Sequence, residues 1–430
     1  MPAPRYVSTR AAAGGPTASF DAALLAGLAP DGGLYVPTHV PTLHGTGWDT
    51  ADALPDLAAR TLAPWLPAVP ELGALLADAL NFPVPLVALQ GNGWDGVHVL
   101  ELFYGPTLSF KDVGARAMAR LMARALPPGE TLTILAATSG DTGSAVADGF
   151  AGRDGIRVVL LYPRGQVSEV QERQLVAARD GVQALAVDGT FDDCQRLVKA
   201  AFAEPLPDGC RLSSANSINV GRLLPQTTYH AWAVRQVGRD DATVVVPSGN
   251  LGNLTAGLLS ALGGLPVAGF VAAHNANRGF ADFLGGGDAP SGASVRTASN
   301  AMDVGAPSNL ERLRWLVPDA DLRMRVAGAT VTDAETLETM RELHRATGYL
   351  ADPHTAVGLT AARRHRAAHG TDAPVVVLAT AHPAKFPEAV HTATGVTPPE
   401  PDRLAALRDG PTRVETLPAT LDALRPFLPR

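Results

Sequence analysis

Short runs of branched and aliphatic residues, spaced by stretches with helical periodicity, constrain this chain more than anything else in it. The runs are residues 131–137, 158–162, 183–187, 243–246, 267–272 and 375–380. The helical stretches are 167–178, 191–203, 221–237, 254–262, 333–346 and 355–368. A strand with one wet face alternates apolar and polar residues, because successive side chains point to opposite faces. These runs are apolar almost throughout, with no polar alternation sustained along them, so both faces are covered, and the helices are the cover. Strand, helix and strand in that order make the βαβ unit of a parallel sheet. The predicted fold class is α/β. A chain of 430 residues has room for two or three domains with cores of their own.

Residues 1–95 read as an amino-terminal region of helices and loops, with 20–28 and 72–80 helical. Residues 96–390 read as the α/β region in two subdomains, with 285–292 (GGGDAPSG) a loop inside it. Residues 391–430 read as a peripheral carboxy-terminal segment. No apolar run reaches the length of a membrane span, and residues 1–10 lack a basic stretch leading into an apolar block, so no membrane partner is expected. A net charge of −7 argues against a nucleic-acid partner. Cys194 and Cys210 form neither a metal-type pair nor a disulfide framework. No metal is expected, and a reducing, cytoplasmic compartment fits.

Among 35 lysines and arginines, only Lys111, Lys199 and Lys385 are lysines. Coding bias would leave a few lysines anywhere. The functional alternative is a position that needs an amine able to lose its proton, which arginine cannot supply. Lys111 has suitable surroundings. Ser109-Phe110-Lys111-Asp112 fits a capping box, with Ser109 as N-cap, ahead of a helical stripe of Val113, Ala117, Leu121 and Leu126. In a first helical turn the unpaired amides disfavour an ammonium ion, and burial lowers its pKa further. Lys199 reads as a solvated helix residue and Lys385 as a neighbour of any site at the strand ends.

Two loops follow apolar runs. Residues 138–144 (TSGDTGS) present amides and hydroxyls that suit a carboxylate or phosphate, and they equally suit an ordinary capped turn. Residues 247–253 (PSGNLGN) hold two glycines that let consecutive amides form an anion nest. The second loop lacks a P-loop ending and the third glycine of a dinucleotide fingerprint, so a compact monophosphate suits it better. The polar run 213–219 (SSANSIN) is either a set of ligand contacts or a polar turn. His354 and His382 read as structural histidines. Two anion loops and an amine-ready lysine on one α/β core point to pyridoxal phosphate, held as a lysine imine.

Residues 102–112 (LFYGPTLSFKD), 137–144 (ATSGDTGS), 161–165 (LYPRG), 214–219 (SANSIN), 247–252 (PSGNLG), 300–304 (NAMDV) and 380–386 (TAHPAKF) resemble threonine synthase, in the order that family uses. Residues 6–10 (YVSTR) and 28–35 (LAPDGGLY) resemble it as well. The likeness is to the bacterial and fungal form, which has an added amino-terminal region and no regulatory S-adenosylmethionine segment. It implies a fold-type-II pyridoxal-phosphate enzyme, tryptophan synthase beta-like, with two open twisted α/β domains plus an amino-terminal, mostly helical region. It implies a lyase, monomer or homodimer, acting on the small molecule O-phospho-L-homoserine. With water it forms L-threonine and phosphate by γ-elimination and β-hydration, the final step of threonine biosynthesis.

By position, Lys111 falls on the cofactor-binding lysine, whose freed amine moves the substrate's α-proton. Gly249, Asn250, Leu251 and Gly252 fall on the phosphate cradle, and Thr380 on a hydroxyl beside the pyridine nitrogen. Ser139, Gly140, Asp141 and Thr142 are candidates for the substrate carboxylate. Asn216, Ser217 and Asn219 are candidates for the substrate phosphate. Leu251 and Asn253 stand where many relatives have Phe and Asp. Asp141 stands where many fold-type-II enzymes have an asparagine beside the cofactor's 3′-oxygen. A related dehydratase or β-replacing synthase would share the lysine and the glycine loop. A non-catalytic phosphate-binding protein would form no imine.

Overall fold

Residues 3–91, 93–370 and 372–429 are described by the computed structural model. Near the amino terminus β1 (Tyr6–Ser8), β2 (Thr17–Ala18) and β3 (Tyr35–Pro37) form an antiparallel sheet in the order β2-β1-β3. This sheet departs from the helices and loops expected over 1–95, because strands this short carry no alternation to detect. The chain then lays down β4 (Leu86–Ala88) and β5 (Val97–Glu101) and crosses to β6 (Thr131–Ala137), β7 (Ile156–Pro163), β8 (Val182–Asp188) and β9 (Cys210–Ser213). It returns for β10 (Thr243–Pro247), β11 (Gly269–His274), β12 (Val326–Thr330) and β13 (Val375–Ala379), and adds β14 (Val414–Pro418) at the end.

These strands form two sheets, β12-β11-β10-β13-β5-β4 and β14-β8-β7-β6-β9. Every neighbouring pair is parallel except β4 on β5. Ile134, Leu160, Val244, Val245, Val246, Val376 and Val377 are wholly buried, as the apolar runs require. Each such side chain contributes roughly 1.5–3 kcal/mol of burial free energy. The expected strands are all present. The unforeseen ones are β4, only three residues long, and β5, β9, β12 and β14, whose sequences mix in His98, Glu101, Arg211, Gly328 and Glu415.

The segment 391–430, expected as a peripheral segment, joins the fold at the edge of the second sheet. β14 extends the second sheet beside β8, and Leu417, Leu424 and Leu428 pack with Leu185, Val187 and Leu197. The single helix expected over 221–237 is divided as well. A short helix, Val220–Leu223, runs through a 3-10 turn, Leu224–Gln226, into Thr227–Val237. Pro225 lacks the N–H that a continuous helix would need there.

Three helices position the site: α1 (Lys111–Ala125), α2 (Asp141–Phe150) and α3 (Gly252–Leu262). α2 starts just beyond β6 and α3 just beyond β10, while the segment leading to α1 leaves the end of β5. Ligands of open α/β sheets gather at such carboxyl ends of strands. Among the described residues no helix is long and apolar enough to cross a membrane.

Candidate active site

The chain in front of Lys111 is stitched to the end of β13. Leu102 N–H donates to Ala379 O (3.1 Å), Phe110 N–H to Thr380 O (2.9 Å) and His382 N–H to Leu108 O (3.1 Å). Ser109 and Ala381 pair as an isolated bridge. Lys111 and Thr380 are thereby neighbours, although 269 residues separate them in sequence (380 − 111).

The capping box expected at 109–112 is absent. Phe110 is the N-cap and gives no side-chain hydrogen bond. Asp112 turns back to accept from Thr107 N–H (2.9 Å) and Thr107 Oγ1 (2.7 Å). Ser109 Oγ is buried without a partner among the described residues. Leu108 causes this. It sits at φ 60°, a left-handed conformation that side chains with a Cβ rarely adopt, and it bends the chain away from a regular cap. Burial pushes the Asp112 carboxyl up to about 6, with the Thr107 bonds opposing.

Lys111 keeps partial solvent access, and its amine makes no hydrogen bond or ion pair among the described residues. Burial pulls its ammonium down to about 8; Asp141 opposes this, and Arg222 and Lys385 push down further. The expectation of a proton-yielding amine therefore has a physical basis in the structure.

The loop after β6 is partly self-satisfied. The Thr138 hydroxyl accepts from Gly140 N–H (3.0 Å) and Gly143 N–H (2.8 Å). Gly140 takes φ 138°, and a Cβ there would lie 2.5 Å from the Gln171 side chain, so glycine is required. The N–H groups of Ser139, Asp141 and Thr142 find no acceptor among the described residues. They face outward at the start of α2, where the helix dipole favours an anion.

The Asp141 side chain is engaged elsewhere. Its Oδ1 accepts from Lys385 Nζ (2.8 Å) and Gln171 Nε2 (3.0 Å). Burial raises this carboxyl, but Lys385, Lys111 and Gln171 outweigh burial and hold it well below the carboxylate range. Lys385 is 0% exposed. Sequence reading made it only a neighbour of the site; its rarity as a lysine was the one available signal.

The loop after β10 is open. The N–H groups of Gly249 through Leu254 donate to nothing among the described residues. The left-handed residue here is Leu251 at φ 61°, not a glycine. Gly249 serves a close approach instead, since a Cβ would meet Ala301 O and Met302 Cα at 3.0 Å. Asn250 braces the loop from outside, donating to Ser217 Oγ (2.5 Å) and accepting from Ser308 N–H (2.6 Å). The structure thus brings Ser217 to the cradle. Asn216 lies close by in sequence, with its Oδ1 unpartnered.

Asn219 does not join them. It is fully buried, caps the 220–223 helix through Gly221 N–H (2.8 Å), and donates to Leu24 O and Ser214 O. Its hydrogen-bonding capacity is taken up by the fold. His354 is held by Asp352 (2.6 Å) and accepts from Ala301 N–H (3.1 Å), and His382 caps its own turn through Ala384 N–H (3.1 Å). Both histidines are structural.

The donors present fit pyridoxal phosphate. Six open amides at a helix start suit a phosphate, an unpaired amine suits an aldehyde, and the Thr380 hydroxyl, with no partner among the described residues, suits a ring nitrogen. No cluster of metal-ligating residues occurs among the described residues.

Comparison with known proteins points to the same class of enzyme. The family model for pyridoxal-phosphate dependent enzymes matches residues 79–381. The models for the threonine synthase N terminus and C-terminal parts match 5–76 and 355–428. The chain is 41% identical to threonine synthase of Serratia marcescens, covering 95% of this chain and 96% of that one. It is 40% identical to that of Escherichia coli K12, again covering 95% and 96%. The solved structure of PLP-bound threonine synthase from Brucella melitensis superposes with a TM-score of 0.91 at 35% identity, covering 99% of this chain and 98% of that one. A fungal L-serine ammonia-lyase from Rhizomucor miehei shares the fold alone, at a TM-score of 0.55 and 16% identity over 69% of this chain and 93% of that one.

Proposed function

The chain belongs to the threonine synthase family of fold-type-II pyridoxal-phosphate enzymes, and from that premise we infer that it converts O-phospho-L-homoserine and water to L-threonine and phosphate. The observation that carries the assignment of roles is Lys111, an amine with a lowered pKa and no hydrogen bond or ion pair among the described residues, delivered at the start of α1 beside the end of β13. The amides of Gly249, Asn250, Leu251 and Gly252 would hold the cofactor phosphate, Lys111 would carry the cofactor, and the Thr380 hydroxyl would meet the ring nitrogen. A hydroxyl there does not fix a full positive charge on the ring, as a carboxylate would. When bound, the cofactor supplies an electron sink for the charge left as protons leave the substrate carbons.

Lys111 Nζ takes the proton from the substrate's α-carbon and holds it as an ammonium for return. With a pKa near 8, about one lysine in ten is the free amine at pH 7, against about one in a few thousand at the ordinary value. The amides of Ser139, Asp141 and Thr142 orient the substrate carboxylate, and Gly140 contributes the backbone turn that exposes them. Asn216 and Ser217, beside the cradle, suit the substrate phosphate. Loss of a β-proton expels phosphate from the γ-carbon; the γ-carbon then takes up a proton, and water adds its hydroxyl to the β-carbon and releases its own proton. A reducing, cytoplasmic compartment suits Cys194 and Cys210 as free thiols.

Borohydride reduction followed by peptide mass mapping tests the central role: the cofactor must be found on Lys111. Turnover must yield threonine and phosphate together from O-phospho-L-homoserine. Activity on serine or threonine in its place would make the enzyme a dehydratase-like relative.

A further inference from the structure

Lys385 has no role in the account given so far, yet its charge is wholly buried beside the site. A buried ion pair rarely repays its desolvation, so its presence is weak evidence for a stabilising role. Its ammonium meets two acceptors, Asp141 Oδ1 (2.8 Å) and the Thr107 carbonyl (2.9 Å). Asp141 opens α2 in one lobe, and Lys385 ends the turn after β13 in the other. Thr107 is a knot. Its N–H and hydroxyl are held by Asp112, and its carbonyl also takes Gln174 Nε2 (3.1 Å).

We propose that Lys385 is a positioning residue for Lys111: its ammonium occupies Asp141, so that carboxylate cannot hold Lys111 as an ion pair, and it ties the 138–142 loop to the turn that delivers Lys111. The idea rests on the reading of Lys111 as the cofactor lysine. The charged and titratable groups around the two lysines are Asp112 on α1, Asp141 on α2, Arg222 on the 220–223 helix and His382 on the turn after β13, with Asp148 and Asp352 behind them. Of these, Asp141 is the carboxylate that attracts Lys111, while Arg222 and Lys385 repel it. Removing Lys385 takes away one repulsion and frees Asp141, and both changes favour the ammonium form of Lys111.

Trace acetylation of full-length protein freed of cofactor with hydroxylamine, read by peptide mass mapping, follows each lysine against pH. In the native protein the Lys111 midpoint should lie near 8. Lys385→Met should raise it by about one unit, a roughly tenfold slower labelling at pH 7, and Lys385→Arg should restore the native midpoint. An unmoved midpoint in Lys385→Met, or an equal shift in Lys385→Arg, overturns the proposal. If Lys385→Met fails to fold, the native protein decides. Lys385 must then label more slowly than exposed Lys199, because its amine is wholly buried against Asp141 Oδ1 and the Thr107 carbonyl, and equal rates overturn the proposal. Borohydride mapping keeps the two claims apart: cofactor on another lysine sinks the reading of Lys111, whereas an unmoved midpoint with cofactor on Lys111 sinks only that of Lys385.

Discussion

The loops at the starts of α2 and α3 are both anion sites, and they are built in opposite ways. The α2 loop is braced from within, by the Thr138 hydroxyl on Gly140 and Gly143, and exposes only the amides of Ser139, Asp141 and Thr142. The α3 loop has no such internal brace. It leaves the amides of Gly249 to Leu254 open and is clamped from outside through Asn250 to Ser217 and Ser308. Unsatisfied buried amides cost about 1–3 kcal/mol each. A site that holds its ligand permanently can be left this open, because the ligand completes it. A site whose ligand comes and goes must stand alone between visits. The contrast therefore matches a resident cofactor at α3 and a transient substrate at α2.

The largest effect comes from removing the group that both loops serve. Lys111→Ala should abolish the cofactor's visible band and lower turnover by at least about a thousandfold, the range for losing a proton-transfer group; a variant that kept both would end the comparison outright. Asn250→Ala should weaken cofactor binding about tenfold by unclamping the open loop, as read by spectrophotometric titration of the cofactor-free protein, with little change in substrate KM once the cofactor is saturating. Thr138→Val should do the reverse, raising KM roughly tenfold while cofactor binding holds. If these two variants exchanged phenotypes, the assignment of resident and visitor would be inverted. The smallest change belongs to Lys199→Ala on the exposed face of the helix Phe191–Ala201. Stability there should stay within about 0.5 kcal/mol by thermal melting, with kinetics unaltered.

Sequence reached the parts of the site that depend on residue type. Lys111 stood out because lysine is rare here, and the glycine-rich loops because amides near glycine are accessible. It did not reach what tertiary packing imposes. Leu108 and Leu251 adopt left-handed backbone against their own preference, which only the surrounding contacts can enforce. Asp112 looks like a cap residue until Leu108 bends the chain. Asn219 sits in a run that reads as ligand contacts, yet its neighbours Leu24 and Ser214 are what it serves. Lys385 reads only as a neighbour of the site, because nothing local reports its burial against Asp141. The parallel core was legible because both-sided burial leaves continuous apolar runs. β14 escaped because an edge strand with Glu415 exposed leaves none. The break at Pro225 was available to a stricter reading of proline.

The lacing of the two sheets bears on how the molecule comes into being on the ribosome. β5 and β10 sit on either side of β13, so the six-stranded sheet has a gap at its middle until residues 375–379 emerge. Thr380 and Lys385 arrive with that strand, whereas Lys111 has by then waited for more than half of synthesis. A nascent chain cannot assemble the cofactor pocket piecemeal, and its early strands must remain unpaired or sheltered meanwhile. The full set of proposed cofactor contacts therefore exists only once β13 has joined the sheet, and a chain stopped ahead of it would carry both glycine loops in its sequence without Thr380 to meet the ring.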